Sequence, residues 1–314
     1  MIWLIGVGYM GIEYAKVLDS LKKEHIAIGK GEKNAAIFTE TTRHEVVTGG
    51  LFLFLSQNPP LPESAIVAAS AENLAETAAA LMQYGVKKIL LEKPGAMSLA
   101  EINSLLEIAN KTQSLVQIAY NRRFYSSTLK AEEIIKADGG VTSFHFEFTE
   151  WAHIIENLNK PQSILANWFL GNSTHVVDLA FFLGGVPKEM KCFTIGELLW
   201  HKPAIFSGAG ITNSNVLFSY HANWRAPGRW SVELLTSKHR LYFKPMETLQ
   251  IQKTGSVTVE PVEIDDRLDK DFKPGLFLQT QAFINNDYTR FCSLKEQRKN
   301  FNFYMQMLNK NQIV

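Results

Sequence analysis

The sequence predicts an α/β protein: an amino-terminal lobe on a parallel sheet, then an α+β lobe with a largely antiparallel, open-faced sheet. Three observations carry this. Up to residue 121, short apolar runs alternate with helical stretches. The first apolar run leads directly into Gly6-Val-Gly8-Tyr9-Met10-Gly11. Beyond residue 121 the pattern becomes one of apolar and polar residues in alternation, as in "VTSFHFEFTEW" and "WSVELLTS".

With 314 residues the chain exceeds one typical domain, and the change of pattern places domains at 1–121 and 122–314. Its 46% hydrophobic and 20% charged residues suit a globular enzyme, and 32 basic against 31 acidic residues leave a net charge of +1. The basic residues form no run, so no nucleic-acid partner is expected. Cys192 and Cys292 match no zinc or redox spacing, and no metal site is expected. The opening "MIWLIGVGYMG" has neither the basic leader of a signal peptide nor the length of a span. A cytoplasmic protein with no membrane partner is the expectation.

"IWLIG" reads as the first strand and "IEYAKVLDSLKK" as the first helix, so the glycine run sits between strand and helix. Gly6 makes the tight turn, Gly8 lets a pyrophosphate approach the backbone, and Gly11 packs helix on strand, with Tyr9 and Met10 in the same loop. The helix start then offers N–H groups and a positive dipole end to the phosphates. This is the signature of a Rossmann NAD(P)-binding domain. At the end of the second strand, "HIAIG", an NAD binder carries an acid for the ribose, whereas this chain reads Gly29-Lys30-Gly31-Glu32-Lys33. Lys30, with Lys33 or Arg43, suits a 2′-phosphate and inclines the cofactor from NAD(H) toward NADP(H). Glu32 is the alternative ribose ligand.

Strands follow at 45–49 and 65–70, separated by the proline-rich "NPPLPES". A helix then ends at Gly85, "KKILLEKP" is a fifth strand, Ser98 with Glu101 forms a capping box, and "LVQIAYNRRF" is a sixth strand. Ser70, Glu92, Lys93 and Asn121 fall at carboxyl ends of predicted strands, the edge where such sheets bind ligands. In the second lobe, helices are expected near 126–138, 161–170 and 173–184, strands near 141–151, 188–197, 215–224, 230–236 and 239–243, and closing helices near 275–288 and 294–308. In "GNSTHVVDLAFFLGG", His175 and Asp178 stand three apart on one helix face, with Asn172 or Ser173 able to cap its first turn. His153, His201, His221 and His239 have no comparable pattern and read as structural.

"GVGYMG", "LLEKP", "YNRRF" and "NSTHVVDL", in this order and spacing, resemble the glucose-fructose oxidoreductase, inositol dehydrogenase and MocA (Gfo/Idh/MocA) family over about the first 185 residues. The resemblance implies that Lys93 contacts the nicotinamide ribose and the reacting hydroxyl, and that His175 is the acid–base. It further implies an NAD(P)-dependent dehydrogenase of sugars, nucleotide sugars or cyclitols, acting as a homodimer or homotetramer. The usual helix signature, D-x-G-x-H-x-x-D, is altered: Gly171 and Ser173 replace its first Asp and its Gly. Substrate contacts made by that Asp pass, on this reading, to Asn172. Tyr120, Arg122, Arg123, Trp151, Trp168 and Asp178 complete the expected substrate side, as aromatic faces for a sugar ring and guanidinium groups for a carboxylate or phosphate. The alternatives are a non-catalytic NADP(H) sensor or scaffold, and a sugar-processing enzyme that oxidises transiently with a tightly held NAD.

Overall fold

A computed structural model describes residues 1–310, which divide into two compact units. The first comprises Met1–Asn121 and Leu268–Lys299, the second Arg122–Arg267 with the carboxy-terminal residues from Asn300. The last four residues of the expected 122–314 domain lie outside the described residues.

The first unit runs β1 (Ile2–Ile5), α1 (Tyr9–Ser20), β2 (His25–Ile28), α2 (Glu32–Thr42), β3 (Val46–Val47), α3 (Gly50–Ser56), β4 (Ser64–Val67), α4 (Leu74–Tyr84), β5 (Lys88–Glu92), α5 (Leu99–Thr112) and β6 (Leu115–Ala119). These six strands are parallel, in the order β6-β5-β4-β1-β2-β3. Helices cover both faces of such a sheet, which is why β1 and β4 are buried along their whole length. Successive strands run outward in both directions from β1 and β4, so the switch point lies between them and the glycine loop follows β1 at its carboxyl end. The capping box is present on α5: Ser98 Oγ accepts from the Glu101 N–H, and the Glu101 carboxylate accepts from the Ser98 N–H at 3.1 Å.

One stretch carries a helix where the sequence reading makes no assignment, and one strand ends earlier than expected. "GLFLFLS" is the helix α3, because Gly49 and Gly50, both at positive φ, turn the chain and Leu51 and Phe54 then bury on one face. The sixth strand stops at Ala119, and Asn121–Phe124 coil into a 3-10 turn.

The second unit contains α6 (Ser126–Ala137), β7 (Ser143–Glu147), α7 (Ala152–Ile155), α8 (Gln162–Ala166), a π-helical turn at Phe169–Ser173, α9 (Thr174–Gly184), β8 (Pro187–Ile195), β9 (Ile205–Thr212), β10 (Leu217–Asn223), β11 (Ser231–Leu235), β12 (His239–Phe243), β13 (Gln250–Lys253) and β14 (Val259–Pro261). The eight strands are ordered β14-β13-β12-β11-β7-β10-β9-β8, antiparallel apart from the β7–β10 pair. Helix α9 lies over one face, with the Phe181 ring 5.4 Å from Phe146 and 5.2 Å from Phe218. On the strands, Phe193, Ile195 and Leu217 remain exposed. Strand β9 escapes sequence reading because "SGAG" lacks strand formers. Its glycines are needed where they are: a Cβ at Gly208 would enter the Tyr220 ring, and one at Gly210 the Phe218 ring.

The assignment of everything after residue 121 to one domain is corrected by Leu268–Lys299. The strand Cys292–Ser293 pairs antiparallel with β6, adding a seventh strand to the first sheet, and the helix Leu276–Ile284 packs against α1. A two-residue strand carries no readable period, which is why the sequence conceals the return. Among the described residues no helix is long and apolar enough to cross a membrane.

Candidate active site

In the first unit, Gly6 has φ +104°, and a Cβ there would run into the Ala68 carbonyl. A Cβ on Gly11 would strike the carbonyl oxygen of Gly6, whereas nothing lies within 4 Å of the Cβ position at Gly8. The first and third glycines are therefore required by the turn itself. Gly8 leaves room at the start of α1 that a side chain would fill, and this fits a dinucleotide pyrophosphate. Tyr9 is exposed with Lys273 Nζ 5.1 Å from its ring centroid, and Met10 is half-buried. Ser70 is exposed and its Oγ accepts from Asn73 Nδ2 at 2.7 Å.

Lys30 is exposed just beyond β2, with Glu32 and Lys33 in the first turn of α2. Arg43 caps the other end of that eleven-residue helix, about 16 Å along its axis, and precedes β3 on the amino side of the sheet. It is thus removed from the group that was expected to read the 2′ position.

Glu92 ends β5 and Lys93 begins a tight turn closed by the Gly95 N–H on the Glu92 carbonyl at 2.9 Å. The Lys93–Pro94 peptide is cis. Glu92 is 8% exposed and accepts a hydrogen bond of 2.8 Å from the Tyr14 hydroxyl. Burial pushes its carboxyl above the ordinary glutamate range, while the Lys93 charge and the Tyr14 hydrogen bond draw it back. Burial and the neighbouring Glu92 charge push the Tyr14 hydroxyl well up, so it stays a donor. Behind the turn, Gln297 Nε2 donates to the Pro94 carbonyl at 2.8 Å and to the Tyr120 hydroxyl at 3.0 Å. Asn121 Nδ2 donates to the Pro274 carbonyl at 2.9 Å. Tyr14, whose hydroxyl also lies 3.4 Å from Gln279 Oε1, and Gln297 form the frame of this strand end; sequence reasoning missed all three, and no local motif marks them.

In the second unit, His175 is 7% exposed in the first turn of α9, its ring centroid 6.3 Å from that of Trp230. Asp178 was expected on the substrate side. Its carboxylate instead receives Arg123 through Nε at 2.8 Å and Nη2 at 2.6 Å, and both residues are 3% exposed. Tyr120, 1% exposed, is equally a frame residue. Arg123 and Asp178 are thus engaged as a buried bidentate pair, and Tyr120 as a buried, hydrogen-bonded phenol.

Asn172 and Ser173 do not cap α9. Asn172 Nδ2 donates to Glu150 at 3.0 Å and Ser173 Oγ donates to it at 2.7 Å, because the π-helical turn swings both toward that carboxylate. Glu150 is 1% exposed; burial raises its carboxyl, and Ser173, Arg229 and Asn172 oppose the rise. Trp151, about half exposed, donates to the Gly228 carbonyl at 3.0 Å and lies 4.7 Å from the Arg229 guanidinium. Trp168 packs edge-on against Trp200, with ring centroids 6.2 Å apart. The structure thus groups His175, Trp151 and Asn172 with three residues that the sequence did not signal, Glu150, Arg229 and Trp230.

Comparison with known proteins follows the same division. Residues 1–120 match the Gfo/Idh/MocA family profile, described as an oxidoreductase family with NAD-binding Rossmann fold. No curated protein sequence matches the chain. Among solved structures, UDP-N-acetylglucosamine 3-dehydrogenase GnnA from Acidithiobacillus ferrooxidans is similar with a TM-score of 0.76 at 17% identity, over 98% of this chain and 96% of that one. A putative NADPH-dependent oxidoreductase from Desulfitobacterium hafniense reaches 0.80 at 15% identity, over 98% and 94% of the two chains. Levoglucosan dehydrogenase in complex with NADH and levoglucosan reaches 0.78 at 16%, over 98% and 96%. At these identities the structural likeness speaks for the fold, and the profile speaks for the first lobe. Over its first 120 residues this chain is similar to the Gfo/Idh/MocA family of NAD-binding oxidoreductases.

Proposed function

We propose that the protein is an NAD(P)-dependent dehydrogenase or reductase acting on a secondary alcohol or ketone of a sugar, nucleotide sugar or cyclitol. The observation that carries this is the Glu92-Lys93-Pro94 turn, held by Tyr14 and Gln297 at the carboxyl end of β5, on the sheet edge that carries the glycine loop. The names of similar structures, a nucleotide-sugar dehydrogenase and a sugar dehydrogenase, support the substrate class.

Gly6, Gly8, Gly11 and the start of α1 are the residues to hold the pyrophosphate, with Tyr9, Met10, Ser70, Glu92 and Asn121 along the same edge. When bound, the nicotinamide supplies the hydride acceptor or donor. The chain's own groups manage the proton. Lys93 places a positive charge beside the reacting oxygen and stabilises developing alkoxide. His175 takes the hydroxyl proton in oxidation and returns it in reduction, as general base and acid. Glu92 steadies the Lys93 ammonium. Lys30 favours NADP(H) through its 2′-phosphate. Self-association belongs to the same proposal, because Phe193 and Ile195 leave an apolar stretch on β8 for a second copy to cover.

The test is a panel of sugars, nucleotide sugars and cyclitols, offered with NAD+ and NADP+ while reduced-nicotinamide absorbance is followed. Turnover on at least one member, with a higher kcat/KM for NADP+ that Lys30→Ala reverses, is expected. Cofactor that copurifies and never exchanges would favour transient oxidation, and cofactor binding without turnover on any member would favour a sensor.

A further inference from the structure

Around Trp230 the second unit brings two guanidinium groups onto one indole. The Arg122 guanidinium lies 4.8 Å from the Trp230 ring centroid and that of Arg229 4.6 Å from it. Two like charges on one indole repel unless a negative group joins them. Glu150 meets Arg229 at 3.3 Å, but this buried carboxylate is already shared with Asn172 and Ser173. Arg122 makes no ion pair among the described residues, and its Nε is buried without a hydrogen-bond partner there. Trp230, 7% exposed, likewise buries its indole N–H without a partner among the described residues.

Both unmatched atoms are donors, so the complementary group is an acceptor, and beside two guanidinium groups that acceptor is an oxyanion. A guanidinium presents parallel N–H groups that fit a carboxylate or phosphate, and stacking on an indole holds its plane in place. His175 is one ring away from the same indole. The sequence offers Arg122 as a guanidinium for a carboxylate or phosphate, but Arg229 and Trp230 belong to separate segments, and their meeting with Arg122 is not visible in it.

We propose that Arg122 and Arg229, stacked on Trp230, form an oxyanion subsite, so that the preferred substrate carries a carboxylate or phosphate. The inference rests on the dehydrogenase reading for its substrate, but the subsite is measurable without turnover. Intrinsic tryptophan fluorescence is followed while inorganic phosphate, glucuronate, glucose 6-phosphate and, as the uncharged control, glucose are titrated into the full-length protein at low and high salt. The expected result is a saturable change with charged ligands, weaker at high salt and absent with glucose. The carboxylate and phosphate arms tell the two sources apart.

Arg122→Met should weaken charged-ligand binding at least tenfold with an unchanged Tm, and Arg122→Lys should recover part of it. Where a charged member is turned over, the change should fall on KM rather than kcat. If Arg122→Met fails to fold, the salt-dependent titration of the unsubstituted protein decides. Equal response to charged and uncharged ligands, or an Arg122→Met protein that binds glucuronate and glucose 6-phosphate as before, overturns the subsite. Anion binding without turnover leaves the subsite standing and counts against the dehydrogenase reading. Turnover of uncharged sugars with no anion binding does the reverse.

Discussion

Gly8 and Gly11 stand three residues apart in one loop, yet their substitution should separate binding from folding. Gly8→Ala adds a methyl group to open space and should leave Tm near that of the unsubstituted protein while abolishing cofactor binding by calorimetry. Gly11→Ala sets its methyl group against the Gly6 carbonyl oxygen and should lower Tm by several degrees as well. At Arg123 the effect is on stability: Arg123→Met leaves Asp178 charged and buried, and urea unfolding should show a loss of about 3–5 kcal/mol. The glycine turn was legible because it obeys a local rule of spacing. The partners of Asp178 and Tyr120 were not legible because they come from distant segments, Arg123 and Gln297. Residue type alone does not carry that information.

Elements with a strong period were legible, and those defined by their neighbours were not. The fully apolar β1 and β4, the capped helix α5 and the alternating β7 follow from sequence. Strand β9 does not, since its glycines match aromatic rings on β10. The segment between β8 and β9 carries its own pH test. His201 sits against Trp224 with ring centroids 4.5 Å apart, and burial lowers its imidazole from 6.5 to about 4. Above pH 6.5 the folded and unfolded chains are both neutral at this site and its full contribution is present. As pH falls from 6.5 to about 4, only the unfolded chain gains the proton, so stability declines, by about 3 kcal/mol at most, and then levels off. His201→Gln should flatten that part of the stability profile, and an unchanged slope would remove His201 as its cause.

For the whole molecule, the main departure from the sequence reading is the discontinuous first unit. Residues 1–121 alone lack the edge strand Cys292–Ser293 and the helix against α1, and so expose the surfaces these cover. That fragment should bind a hydrophobic dye and melt without cooperativity, whereas the same fragment joined to residues 268–299 should unfold in one transition. The change from strand–helix alternation to a one-sided sheet made the division near residue 121 readable. Nothing local announces the return. The proposed reaction assigns proton handling to Lys93 and His175. Its most direct test is turnover, measured beside cofactor affinity, for Lys93→Ala and His175→Ala. Each substitution should lower kcat by about two orders of magnitude or more while cofactor affinity and Tm stay nearly unchanged. Undiminished turnover in either variant would contradict it.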